Sequence, residues 1–157
     1  MKNKKRIRFL NGLLNIILAF TILLFIILIV SQFYTENSSI RNIILEILLG
    51  LIFYGGYFMI TFTLKKILKS VRDKTPFNLD NIMYFKRIGY YIFIVGVIDA
   101  IINYPKPTNL GFEIMSTQYG SLKPIFFLYL VLSILSLILS DVFRMAMEIK
   151  EENDLTV

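Results

Sequence analysis

Two carboxylates stand inside apolar stretches: Glu46, in a run from Ile43 to Leu64, and Asp99, in a run from Ile88 to Tyr104. A charged side chain in hydrocarbon is costly unless it faces a bundle interior, water or a partner, so such positions are the first candidates for intramembrane chemistry. Two carboxylates at one level can share a proton or a cation, or pair with a nearby base such as Arg41 or Lys123. If the first run enters from the outer side and the second leaves towards it, Glu46 and Asp99 are expected at similar depth near the outer face. The plainer reading is that each reaches the interface or accepts a structural hydrogen bond.

Other chemistry is poorly served. The chain has no histidine and no cysteine. The commonest general base, the commonest metal ligand and the thiolate nucleophile are all missing, which removes zinc centres and Ser-His-Asp triads. No phosphate-cradling glycine loop, HExxH or GxSxG pattern occurs. No cofactor or metal is expected, and the protein is not expected to be an enzyme.

The elements that must position Glu46 and Asp99 are membrane helices. Of 157 residues 56% are hydrophobic, and charge is confined to blocks between long apolar runs. A helix needs roughly 20 apolar residues to cross a hydrocarbon core about 30 Å thick. Four spans are predicted, at about 9–31, 43–64, 88–104 and 124–140, in a single membrane domain covering 1–157. The first run is too long for the apolar part of a signal peptide and lacks a cleavage pattern, so a retained helix is expected. Fourteen of the seventeen lysines and arginines fall in the N-terminal segment, the central loop 65–87 and the tail 141–157. The excess of positive charge on that side places both termini in the cytoplasm. It also accounts for the net charge of +6 without direct nucleic-acid binding. The fold class is therefore all-α: a four-helix membrane bundle with amphipathic cytoplasmic extensions.

The cytoplasmic segments are patterned. Leu64, Ile67, Leu68 and Val71 recur at helical spacing, while Lys65, Lys66, Lys69 and Arg72 fill the other faces. Pro76 ends that helix. Asn78 is a suitable N-cap for the next, Asp80 suits its first turn, and Phe77 and Ile82 are placed to staple it. In the tail, Val142, Met145, Ala146 and Ile149 form an apolar stripe. There Asp141, Glu148, Glu151, Glu152 and Asp154 outweigh Arg144 and Lys150. Opposite charge predicts that the tail packs on the Lys65–Arg72 segment. The candidate interaction surface is Lys65, Lys66, Lys69, Arg72, Pro76, Phe77, Arg144, Glu148, Glu151, Glu152 and Asp154. Gly50, Gly55, Gly56, Gly89, Gly96, Ser133, Ser136 and Ser140 mark helix contacts, because small residues let backbones approach closely.

These segments also resemble a known family. Leu64-Lys65-Lys66-Ile67-Leu68-Lys69-Ser70-Val71, Pro76-Phe77, Asn81, Arg87-Ile88-Gly89, Asp141-Val142-Phe143-Arg144 and the terminal Glu151 to Val157 resemble the small bacterial membrane proteins of domain-of-unknown-function family 2975. The resemblance covers roughly residue 60 onward and implies a four-helix protein of a bacterial plasma or inner membrane. It also implies genes often placed beside a small helix-turn-helix regulator of the Cro/repressor type. By analogy it suggests a regulatory or sensory partner of such a cytoplasmic protein. The competing expectation is a small ion- or proton-coupled transporter using Glu46 and Asp99. Besides the lipid bilayer, a second copy of the chain is an expected partner, since four short helices bury little area among themselves.

Overall fold

The computed structural model describes residues 2–34, 39–104, 115–117 and 119–155. Four helices dominate: α1 (Lys2–Gln32), α2 (Ile40–Arg72), α3 (Leu79–Asn103) and α4 (Pro124–Leu155). Three of them, α1, α2 and α4, are long and apolar enough to cross a membrane. With 31 to 33 residues each, they run to about 45–50 Å at 1.5 Å per residue, well beyond the hydrocarbon thickness. The helix α3, with 25 residues, is about 37 Å long. It carries Asp80, Lys86, Arg87 and Asp99 and so is less uniformly apolar.

Each helix packs antiparallel on the one before it, and the principal contacts join α1 to α2, α2 to α3 and α3 to α4. The register of each pair is explicit. Along α1 and α2, Gln32 meets Glu46, Leu28 faces Gly50, and Asn15 meets Lys65. Along α2 and α3, Gly56 abuts Val95 and Ser70 meets Asn81. Along α3 and α4, the hydroxyls of Ser133, Ser136 and Ser140 donate to the carbonyls of Gly89, Phe85 and Ile82 at 2.8, 2.8 and 2.9 Å. Serines at i, i+3 and i+7 share a helix face, so the three bonds rivet one face of α4 to the α3 backbone.

The interior is the inverse of a soluble core. Its buried apolar residues are Ile67, Ile82, Ile88 and Val95, whereas Thr21, Thr61, Thr63, Asn81, Ser133, Ser136 and Ser140 are also buried. Large residues such as Phe20, Ile26, Leu51, Val131 and Ile138 point outward. Helices in lipid gain little from hiding leucine from leucine-like solvent. They associate through close backbone approach and polar contacts instead.

The connections after α2 and after α3 hold local structure of their own. At the end of α2, the Lys74 N–H donates to the Val71 carbonyl and the Thr75 N–H to the Ser70 carbonyl. With Lys74 at φ 61°, this is a Schellman motif carrying a lysine where glycine is usual. As the sequence predicts, Asn78 then caps α3, its side chain accepting from the Asn81 N–H at 2.8 Å. A stretch rich in polar residues joins α3 to α4. Its described part contains a short antiparallel hairpin, β1 (Met115–Thr117) and β2 (Gly120–Leu122). The hairpin is tied to the end of α3: Ser121 N–H donates to the Tyr104 carbonyl at 3.0 Å, and the Tyr104 and Thr117 hydroxyls meet at 3.0 Å.

Candidate functional site

Polar side chains gather at two levels of the bundle. The first is the α2–α3 turn at the charged end. Asn81 is fully buried. Its amide donates to the Ser70 hydroxyl at 2.9 Å and to the Pro76 carbonyl at 2.6 Å. Asn78 donates to the Ser70 hydroxyl at 3.0 Å and to the Thr75 carbonyl at 2.8 Å. Ser70 in turn donates to the Thr75 carbonyl. The last turn of α2, the connecting segment and the first turn of α3 are thus tied through two asparagines and a serine. Buried polar groups linked this way specify one geometry, because any unmade bond costs the full desolvation of its group.

The turn presents Phe77, whose ring packs 5.4 Å from Phe143 of α4, centroid to centroid, while Phe85 of α3 packs 4.8 Å from the same ring. These aromatics anchor the root of the α4 extension. The extension therefore lies against α3 and the Phe77 turn, not on Lys65–Arg72 as charge alone predicts. Exposed ion pairs contribute at most about 1 kcal/mol, less than the aromatic and serine contacts that seat α4 on its neighbour in sequence. Arg72 instead pairs with its neighbour Asp73 at 3.2 Å. The Lys65 ammonium donates to the Asn15 side-chain carbonyl of α1 at 2.6 Å. Lys66 sits over the rings of Phe62 and Tyr84, 4.9 and 5.5 Å from their centroids. Lys69, Arg144, Glu148, Glu151 and Glu152 are exposed, and the side chain of Asp154 lies outside the described residues. Pro76 and Phe77 are held in the knot; the other members of the expected surface surround it or continue along α4.

The second level lies towards the opposite end. The hydroxyls of Tyr57 on α2 and Tyr129 on α4 meet at 2.5 Å. They can do so because α3 carries Gly96 between them: a Cβ there would lie 2.5 Å from the Tyr129 Cβ. One helical turn further along α3, Asp99 accepts from the Asn103 amide at 3.0 Å and lies within electrostatic reach of Tyr57. Tyr54 adds a third phenol within such reach of Tyr57. Phenols of α2 and α4 and a carboxylate of α3 thus lie at neighbouring levels of the bundle, oxygen groups able to hold or pass a proton.

Glu46 is not part of that set. It is exposed and accepts from Gln32 of α1 at 3.1 Å. With Gly56 against Val95, Glu46 lies ten residues from the contact and Asp99 four. The two therefore differ in depth by about 9 Å at 1.5 Å per residue. The sequence marks both carboxylates, and Tyr57 and Tyr129 only among several tyrosines able to hydrogen-bond inside the bundle; that these two meet depends on register. The hint it offers is a mid-span tyrosine on each of two helices with a glycine on the helix between.

No curated protein and no solved structure matches the chain. A family match covers residues 47–157, which takes in most of α2, both polar levels and all of α4, and leaves out α1. By that match the chain belongs to the family described as protein of unknown function (DUF2975).

Proposed function

We propose that the chain is a four-span protein of a bacterial cell membrane with both termini in the cytoplasm. In this reading it holds a rigid cytoplasmic platform for a protein partner and catalyses no reaction. Connectivity supports the fourth span. Both α2 and α4 run antiparallel to α3 and hence parallel to one another. If both cross, the chain between them has to cross back, and α3 is that return. The charge distribution supports the orientation.

The observation that carries the functional reading is the fully buried Asn81, which fixes the Ser70–Asn81 turn and with it the exposed Phe77. A turn whose task is to connect two helices does not need a buried polar network, whereas a surface that must present one shape to a partner does. Basic side chains on α2 and acidic ones on α4 flank it. The family resemblance implies a small helix-turn-helix regulator as the partner. Crosslinking and affinity purification of the full chain from bacterial membranes tests this. A cytoplasmic DNA-binding protein should be recovered with the native chain and lost severalfold with Phe77→Asp. Recovery of the same proteins with both contradicts the reading.

A second reading, a small ion- or proton-coupled carrier, is favoured by the Tyr57–Tyr129–Asp99 level, without Glu46. Flux through reconstituted vesicles that is lost in Asp99→Asn supports it. Flux equal to that of empty vesicles removes it.

A further inference from the structure

We propose that the chain forms a parallel homodimer through the outward face of α4. On that helix Leu128, Val131, Leu135, Ile138, Val142, Met145 and Ile149 follow one another at alternating steps of three and four residues. All are exposed, from 44% to 62%. This is the a/d spacing of a left-handed helix pair. The opposite face, with Ser133, Ser136 and Ser140, is the one riveted to α3.

Within the bilayer an outward apolar stripe needs no partner, since lipid covers it. The informative part is its continuation. The Ser140–Ile82 bond places Ser140 about one turn beyond Lys86 and Arg87, on the charged side of the bundle. Val142, Met145 and Ile149 lie further out still. On α1 the outward stripe changes to Arg6 at this end, and on α2 to Lys66 and Lys69. On α4 it stays apolar and in phase for two more turns, among residues as acidic as Asp141, Glu148, Glu151 and Glu152. An anionic leaflet repels such a helix, so the stripe is not a membrane-surface anchor. Its partner must offer an apolar face of the same period that is continuous through the bilayer and into water. A second α4 does this.

Both copies insert the same way, so the twofold axis lies along the membrane normal and the helices run parallel. In that arrangement the flanking acids meet neutral residues, Asp141 near Ala146 and Glu148 near Asn153 of the second copy, so no like charges oppose along the seam as far as Ile149. Glu152 occupies the next seam position and ends it. Covering the seam on both copies removes on the order of 1,000 Å² from solvent and lipid, near the lower bound of specific interfaces. The inference rests on the membrane reading but not on which side is cytoplasm, nor on any second protein.

The chain's lack of cysteine makes the test direct. Single variants Val142→Cys, Met145→Cys and Ile149→Cys are oxidised in native membranes beside Arg144→Cys and Glu151→Cys. Covalent dimer is expected at 142, 145 and 149 in severalfold excess over 144 and 151, because seam positions bring the sulfurs within bonding distance. No dimer at the three seam positions, or equal yield at all five, overturns the proposal. In detergent, the Met145→Lys, Ile149→Lys double variant should weaken dimerisation at least tenfold by light scattering across a dilution series. An unchanged dimer overturns it too. Failure here leaves the Phe77 platform standing, and loss of Phe77-dependent capture leaves the dimer standing.

Discussion

Tyr57 of α2 and Tyr129 of α4 touch hydroxyl to hydroxyl at 2.5 Å although α3 lies between their helices. The contact joins first and last helices of the family-matched region across the glycine at position 96. A bond between non-adjacent helices ties the bundle in a way that no neighbouring pair can.

That bond should be measurable as a coupling. Tyr57→Phe and Tyr129→Phe each remove one partner and are expected to cost about 1 kcal/mol in detergent unfolding. The double variant should cost less than the two together by about 0.5 kcal/mol or more. Strict additivity would show that the hydroxyls do not interact.

The glycines of α2 and α3 should divide by what they face. At Gly96 an added methyl meets the Tyr129 side chain, and Gly96→Ala is expected to destabilise by about 1–3 kcal/mol. At Gly55 an added methyl meets nothing within 4 Å, so Gly55→Ala should be neutral or stabilise by up to about 1 kcal/mol through helix propensity. Thermal unfolding of both variants in one detergent checks the contrast.

Lys74 holds a left-handed backbone at φ 61°. Lys74→Gly should raise stability by about 1 kcal/mol, while Lys74→Val should lower it, since a β-branched side chain fits that region poorly. If both variants unfold like the native chain, the turn is not the Schellman motif described above.

Asn81→Asp replaces both amide donors with a carboxylate in a fully buried position. The expected cost is about 3 kcal/mol or more. Ser70→Ala, which leaves the Asn81–Pro76 bond in place, should cost less, about 1 kcal/mol. Equal effects would mean that Asn81 is not the centre of the knot.

Much of this was legible in the sequence, and the reason is physical. Helix extents follow from apolar run length and from Pro76 and Asn78, whose effects are local. The predicted spans coincide with helices, to within one residue at Tyr104, that extend further at their charged ends. The identity of the helix-contact residues was also readable, since Gly56, Gly89, Gly96 and the α4 serines are small wherever they sit. What remained hidden depends on register between helices. Glu46 and Asp99 look level by residue count from the ends of their runs, yet the Gly56–Val95 contact sets them about 9 Å apart in depth at 1.5 Å per residue. The tail looked destined for the basic end of α2 by charge. The rings of Phe77, Phe85 and Phe143 keep it on α3, because apolar contact between aromatic rings outweighs solvent-screened charge. The hairpin over Tyr104 was invisible because two three-residue strands leave almost no periodic trace.

The central claim is that α3 crosses the membrane and brings the Phe77 platform to the cytoplasmic side. Single cysteines at positions 74, 119 and 150 of the otherwise cysteine-free chain, labelled in intact bacterial cells with a membrane-impermeant maleimide, test it most directly. The account predicts labelling at 119 from outside, with 74 and 150 labelled only after the cells are opened. Labelling of 74 together with 119 in intact cells would contradict it, because the two ends of α3 would then share one side of the membrane.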